Sequence, residues 1–236
     1  MQQSILGGSV SFSVVVHGKD VREILHNGST FIEGRLGSQS SLRISNNSPE
    51  RVLAVITVDG LSIMNGKEGN FNSGGYVIQP WSVTDIPGWR LDNDRVARFF
   101  FSTLDQSYAA QMDKPTNVGV IGCAIFNEPS RPVVRPLFIK SRSGDSPVFG
   151  AIGNTLDSAQ ELGTGFGEEA DHHVVNTEFT RLPKPTAVLT LFYDTREKLI
   201  AKGVPVDRPQ VAVTPSAFPA EPQYCTPPSN WHSRRR

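Results

Sequence analysis

Residues 51–126 limit what this chain can become. Three largely apolar runs stand in this stretch, at 52–58 (VLAVITV), 96–101 (VARFFF) and 118–126 (VGVIGCAIF). What separates them is turn chemistry: Asp59-Gly60, Asn65-Gly66, Pro87-Gly88 and Asp92-Asn93-Asp94. No intervening segment is long enough for a crossover helix, which argues against a parallel α/β sheet and for strands paired as antiparallel neighbours. The 52–58 run is apolar at nearly every position, as in a strand covered on both faces or packed tightly in a sandwich. Gly119 and Gly122 in the third run mark close backbone approach or a bulge.

The rest of the first half follows the same pattern. Residues 11–17 (SFSVVVH) are rich in β-branched side chains and read as a strand, with a turn at Gly18-Lys19-Asp20. Extended pieces at 21–25 and 30–33 flank His26-Asn27-Gly28, and Asn-Gly is a strong hairpin signal because both residues accept positive φ. Residues 40–45 (SSLRIS) put Leu42 and Ile44 on one face. A short strand follows at 76–79, ending before Pro80; residues 82–86 lead to the turn dipeptide Pro87-Gly88, residues 89–91 follow it, and residues 108–111 make one helical turn. The fold class is therefore mainly β. Roughly eight or nine strands form a jelly-roll-like antiparallel β-sandwich over residues 1–128.

From residue 129 the pattern changes. EPSRPVVRP at 128–136 reads as a linker or an extended edge, and 151–162 has the composition of a short helix. Gly163-Thr164-Gly165-Phe166-Gly167 reads as a turn, and 172–180 and 186–193 as strands. TREKLIAK at 195–202 reads as a helix with Asp194 or Thr195 as N-cap and Gly203 as its stop. Residues 129–205 make a smaller β-rich extension with one helix. Residues 206–236 are proline-rich and aperiodic, an extended C-terminal arm ending in Trp231-His232-Ser233-Arg234-Arg235-Arg236.

Charge and cysteine content exclude some function classes. Lys+Arg and Asp+Glu both number 23, so the chain has no net charge, which disfavours a dedicated nucleic-acid binder and is compatible with assembly. Cys123 sits in an apolar run and Cys225 in the proline-rich tail, so no disulfide framework is expected. The N-terminal MQQSILGGSV lacks a basic-then-apolar leader, and no apolar run reaches the length of a membrane span. A soluble protein made in the cytoplasm is the expectation.

The motifs VDGLSIMNG (58–66), SGGYVIQPW (73–81), IPGWRLDND (86–94), SYAAQ (107–111) and NVGVIG (117–122) occur together with GTGFGEE (163–169) and LTLFYDTREKL (189–199). In this combination the chain resembles a family of uncharacterised proteins from bacteria and their phages. The resemblance covers most of residues 10–205. It implies a shared fold and carries no catalytic residue across.

Each chemical constellation has a plainer reading beside it. Gly163–Gly167 lacks the Lys-Ser/Thr of a phosphate loop and is followed by Glu168 and Glu169, which would repel phosphate. His172 and His173 with Glu168, Glu169 or Asp171 offer metal ligands, but adjacent residues of a strand point to opposite faces. Asp59, Asp85, Asp92 and Asp94 suit turns better than a calcium loop. No catalytic, cofactor-binding or metal-ligating residue is therefore expected. Trp81, Trp89 and Tyr76, with Trp231 in the arm, are the candidates for a subunit interface or a glycan contact. The expected function is a non-enzymatic structural or assembly protein, with other copies of itself or a virion protein as partner and with neither nucleic acid nor membrane. The phage virion part, as capsid decoration or tail accessory protein, rests on the resemblance. The alternative is a carbohydrate- or surface-binding module.

Overall fold

The computed structural model describes residues 5–7, 9–129 and 160–207. Its fold is mainly β and holds two sheets. In chain order the strands are β1 (Ile5–Gly7), β2 (Val10–Val16), β3 (Lys19–Asp20), β4 (Glu23–His26), β5 (Ser29–Glu33), β6 (Gln39–Asn46), β7 (Val52–Val58), β8 (Leu61–Ser62), β9 (Tyr76–Ile78), β10 (Val83–Ile86), β11 (Gly88–Arg90), β12 (Arg95–Thr103), β13 (Val120–Asn127), β14 (Leu162–Asp171) and β15 (Ala187–Asp194). Two short helices, α1 (Tyr108–Gln111) and α2 (Arg196–Ala201), and a 3-10 turn at Pro115–Asn117 complete the set.

The first sheet runs β1-β2-β6-β12-β11, with β3 on β2, β10 on β6 and β14 on β12. The second runs β4-β5-β15-β13-β7-β8, with β9 on β7. One buried apolar cluster takes Phe12, Ile44 and Phe99 from the first sheet and Ile56, Cys123 and Leu191 from the second, so the two inner faces share a core in a sandwich-like arrangement. Two-residue turns set several registers. His17-Gly18, Asn27-Gly28 and Asp59-Gly60 all have positive φ at both residues and join directly paired strand ends, as type I′ hairpins require.

The apolar 52–58 run has a clear cause. Val52, Ala54, Ile56 and Val58 face the shared core. Leu53 and Val55 face outward with Ala124 and Phe126, into a separate apolar cluster covered by Phe179 and Val77. Arg181 lies over the Phe126 ring at 5.4 Å and donates to the Phe71 carbonyl at 2.7 Å. Residues 172–182 thus form an irregular strap across the second sheet, so the strand expected at 172–180 is absent. The strap's backbone is bound elsewhere, with His172 N–H donating to Asp94 O at 2.7 Å and Val174 N–H to Asn93 O at 2.8 Å.

Three further expectations meet a different structure. Gly163–Gly167 lies inside β14 and is no turn. A side chain at Gly165 would strike the Phe100 ring on the paired strand, and one at Gly163 would strike Ser107; glycine here permits close packing. Pairing is antiparallel throughout the described sheets except between β15 and β5, which run parallel. The first turn sits at His17-Gly18, one residue before the expected place, and Lys19-Asp20 is already the return strand.

Strands β14 and β15, from the stretch read as an extension, are built into the two sheets, β14 against β12 and β15 between β5 and β13. Helix α2 starts where expected, with the Thr195 hydroxyl accepting from Lys198 N–H, and it stops at Gly203 with φ +77°. Most of the helix expected at 151–162 lies outside the described residues; its last residue, Leu162, opens β14. Among the described residues no helix is long and apolar enough to cross a membrane.

Candidate functional site

The three aromatic candidates within the described residues separate into core and surface. Trp89 is 2% exposed. Its ring meets Phe99 edge-on at 5.3 Å between centroids and Tyr108 at 4.8 Å, and its indole N–H donates to Gly165 O at 3.1 Å. Tyr76 is also buried; its hydroxyl accepts from Arg90 Nε at 3.0 Å and Nη2 at 2.6 Å. Neither ring is free to stack on a ligand. Trp231 lies outside the described residues.

Trp81 differs from both. It is 70% exposed, and Val83, two residues on, is 61% exposed. Its backbone is in the left-handed region with φ +54°. Pro80 precedes it, and the Ser82 hydroxyl closes the turn on Gln79 O at 2.7 Å. A residue after proline with positive φ occupies the place that a type II turn normally gives to glycine or asparagine. Holding a bulky L-residue there costs on the order of 1–2 kcal/mol, with no burial to offset it. The turn leads into β10, which pairs with β6 so that Val83 stands beside Ser45 and Asp85 beside Arg43. Arg43 grips Asp85 through two bonds of 2.8 Å and lies 3.6 Å from Asp20. The site is therefore a strained, presented tryptophan and a valine beside a polar, charge-paired sheet face.

Of the histidines and acids weighed as possible metal ligands, His172, His173, Glu169, Asp92 and Asp94 are engaged with protein partners. The His172 ring nitrogen Nδ1 faces the Arg90 guanidinium; burial, then that charge, holds the imidazole below its usual range. His173 Nδ1 meets Asp94 at 2.6 Å, and Glu169 accepts from Arg95 at 2.9 Å. Asp92 caps its own turn by accepting from the N–H groups of Asp94 and Arg95, both at 2.9 Å, and the Arg95 guanidinium keeps its carboxyl below the ordinary value. Cys123 is wholly buried, which pushes its thiol far above the reactive range.

A buried cluster missed in the sequence reading centres on Asp59. Its carboxylate accepts from Gly119 N–H at 2.9 Å, Thr164 N–H at 2.8 Å and the Tyr193 hydroxyl at 2.6 Å. Tyr193 spends its proton on Asp59, so the Thr164 hydroxyl, 2.7 Å away, donates to Tyr193. Thr164 belongs to the first sheet, Tyr193 and the Asp59 turn to the second, and the carboxylate ties them together. No local pattern announces this cluster, because its bonded members are separated by 29 to 134 residues and Asp59 is indistinguishable in sequence from an ordinary Asp-Gly turn.

Burial pushes the Asp59 carboxyl up to about 6 from its ordinary 3.8, against the opposing pull of its donors. A folded pKa above the unfolded one contributes stability that is full below the unfolded value and is lost as pH rises through about 6. The swing is on the order of 3 kcal/mol. Thermal melts from about pH 5 to about pH 7.5 are expected to show a component that falls with rising pH and disappears in D59N. A slope unaltered in D59N would remove Asp59 as its source.

No known family model matches the chain, and neither the curated proteins nor the solved structures contain a significant match to it.

Proposed function

We propose that this chain is a non-enzymatic assembly protein that uses the Trp81–Val83 turn as a contact with another protein surface. The observation that carries the reading is a tryptophan held exposed at a backbone cost, where glycine would serve the fold better. Aromatic anchors of this kind dominate protein interfaces once a partner desolvates them. The absence of net charge is compatible with close approach of like copies. The proline-rich run after residue 206 is proposed as a second contact, and other copies of the chain as the first partner to test. The motif resemblance supports placing it in a phage virion, as capsid decoration or tail accessory protein, with jelly-roll-like connectivity.

W81G tests this reading. Glycine removes the contact and relieves the positive φ, so the melting temperature is expected to stay level or rise slightly, by no more than about 1 kcal/mol of stability. Size-exclusion chromatography should show the assembly lost. Assembly retained in a well-folded W81G protein would remove Trp81 from the interface.

A carbohydrate- or surface-binding module is the second reading. Trp81 favours it too, since an exposed indole beside a serine- and arginine-bearing sheet face suits a sugar ring. On a glycan array the unmodified protein would then show saturable binding that W81G loses, with self-association the same in both.

A further inference from the structure

We infer that the cavity lined by the Arg35–Ser38 turn, the end of β12 and the start of β14 binds a small aliphatic ammonium ion. Its volume is about 630 Å³, within the range of small-ligand pockets. Two turns shape it. Ser38 N–H donates to Arg35 O at 3.0 Å and Gly37 takes φ +78°, as the third residue of a type II turn does, which leaves Leu36 61% exposed at the corner. The second turn follows β12. Gln106 N–H donates to Thr103 O at 3.2 Å and Ser107 N–H to Leu104 O at 3.1 Å, and Asp105 between them is exposed. Leu104 N–H donates to Glu161 O at 3.1 Å, and Leu162, paired with Thr103, adds a buried apolar wall.

The lining offers two kinds of surface. Leu36, Leu104 and Leu162 are apolar, and a hydrocarbon chain laid on the exposed Leu36 side chain releases the water against it. The charged lining residues are Asp105 and Glu161, with no cation among them. Glu161 is answered from outside the cavity by Lys198 Nζ at 2.7 Å, which leaves the Asp105 carboxylate as the charge the lining does not match. Thr103 is an independent sign. Its hydroxyl oxygen is buried with no hydrogen-bond partner among the described residues, a costly state that folded proteins seldom keep. An ammonium group carries three N–H donors and a positive charge, which suits a hydroxyl acceptor and a carboxylate in one lining. An anion would instead meet Asp105 with like charge. None of the lining residues belongs to the Trp81 turn, so the inference is independent of the assembly reading.

Hexylammonium is the probe, titrated into the full chain and followed by amide chemical shifts, with 1-hexanol, methylammonium and hexanoate as controls. Saturable one-to-one binding in the millimolar range or tighter is expected, with shifts centred on the amides of Leu36, Leu104 and Leu162. Hexanol lacks the charge and methylammonium the hydrocarbon, so each should bind at least about threefold more weakly, and hexanoate should not bind. D105N and L36S change exposed side chains, so the fold should survive both. D105N should weaken hexylammonium binding about three- to fivefold and L36S about five- to tenfold. T103V removes the orphaned hydroxyl, so its melting temperature should hold level or rise while binding weakens about threefold or more. A weaker affinity at an undiminished melting temperature is a result that mere damage to the fold would not produce. No saturable hexylammonium binding, hexanoate bound as tightly, shifts centred elsewhere, or an affinity unchanged in any of the three variants would overturn the inference.

Discussion

Replacing Asp59 with alanine is expected to lower the unfolding free energy by about 3 to 5 kcal/mol at neutral pH. The substitution leaves Gly119 N–H, Thr164 N–H and the Tyr193 hydroxyl without their acceptor, and Asp59, Thr164 and Tyr193 are all buried. Each orphaned donor costs about 1–3 kcal/mol. Alanine also fits the left-handed turn, φ +53°, less well than aspartate does. Relief of burying a charge offsets part of this, on the order of 3 kcal/mol at neutral pH. Denaturant titration gives the value directly. D59N keeps one acceptor oxygen and tolerates the positive φ, so it should lose less than D59A. A D59A protein within about 1 kcal/mol of the unmodified one would mean that water or a rearranged backbone replaces the carboxylate, and that the tie between sheets is dispensable.

The second large effect is at Trp89. W89A is expected to destabilise by about 3–5 kcal/mol, the usual range for removing a buried tryptophan. It deletes the ring that fills the space between β11, Phe99 of β12 and Tyr108 of α1, and it leaves the Gly165 carbonyl of β14 without its indole donor. The contrast with W81G, which should leave the melting temperature level, separates the two tryptophans by role. They stand only eight positions apart in sequence, Trp81 one residue and Trp89 two residues after a proline. Equal losses at the two sites would contradict the assignment of one to the core and the other to the surface.

That pair also shows where sequence reading stops. Trp81 and Trp89 were legible as important aromatics, but exposure depends on which side of a turn the chain emerges, and no local period records that. The strands at 52–58, 95–103 and 120–127 were legible because apolar content, turn dipeptides and the lack of room for helices all agreed. The same logic failed at Gly163–Gly167, where glycine answers to the Phe100 ring across the ladder and to Ser107. It failed at 172–180 because alternating composition also suits a strap that lays Phe179 on an apolar sheet face. The parallel pairing of β15 with β5 joins residues far apart in the chain and leaves no mark in either strand.

The most direct test of the assembly reading is the mass of the full chain in solution, by multi-angle light scattering across a wide concentration range. The expected result is a defined oligomer, or a monomer that grows into larger assemblies with concentration, and a W81G protein that stays at the mass of one 25.8 kDa chain. A protein with Trp81 intact that remains a monomer at every concentration would contradict self-assembly through this turn.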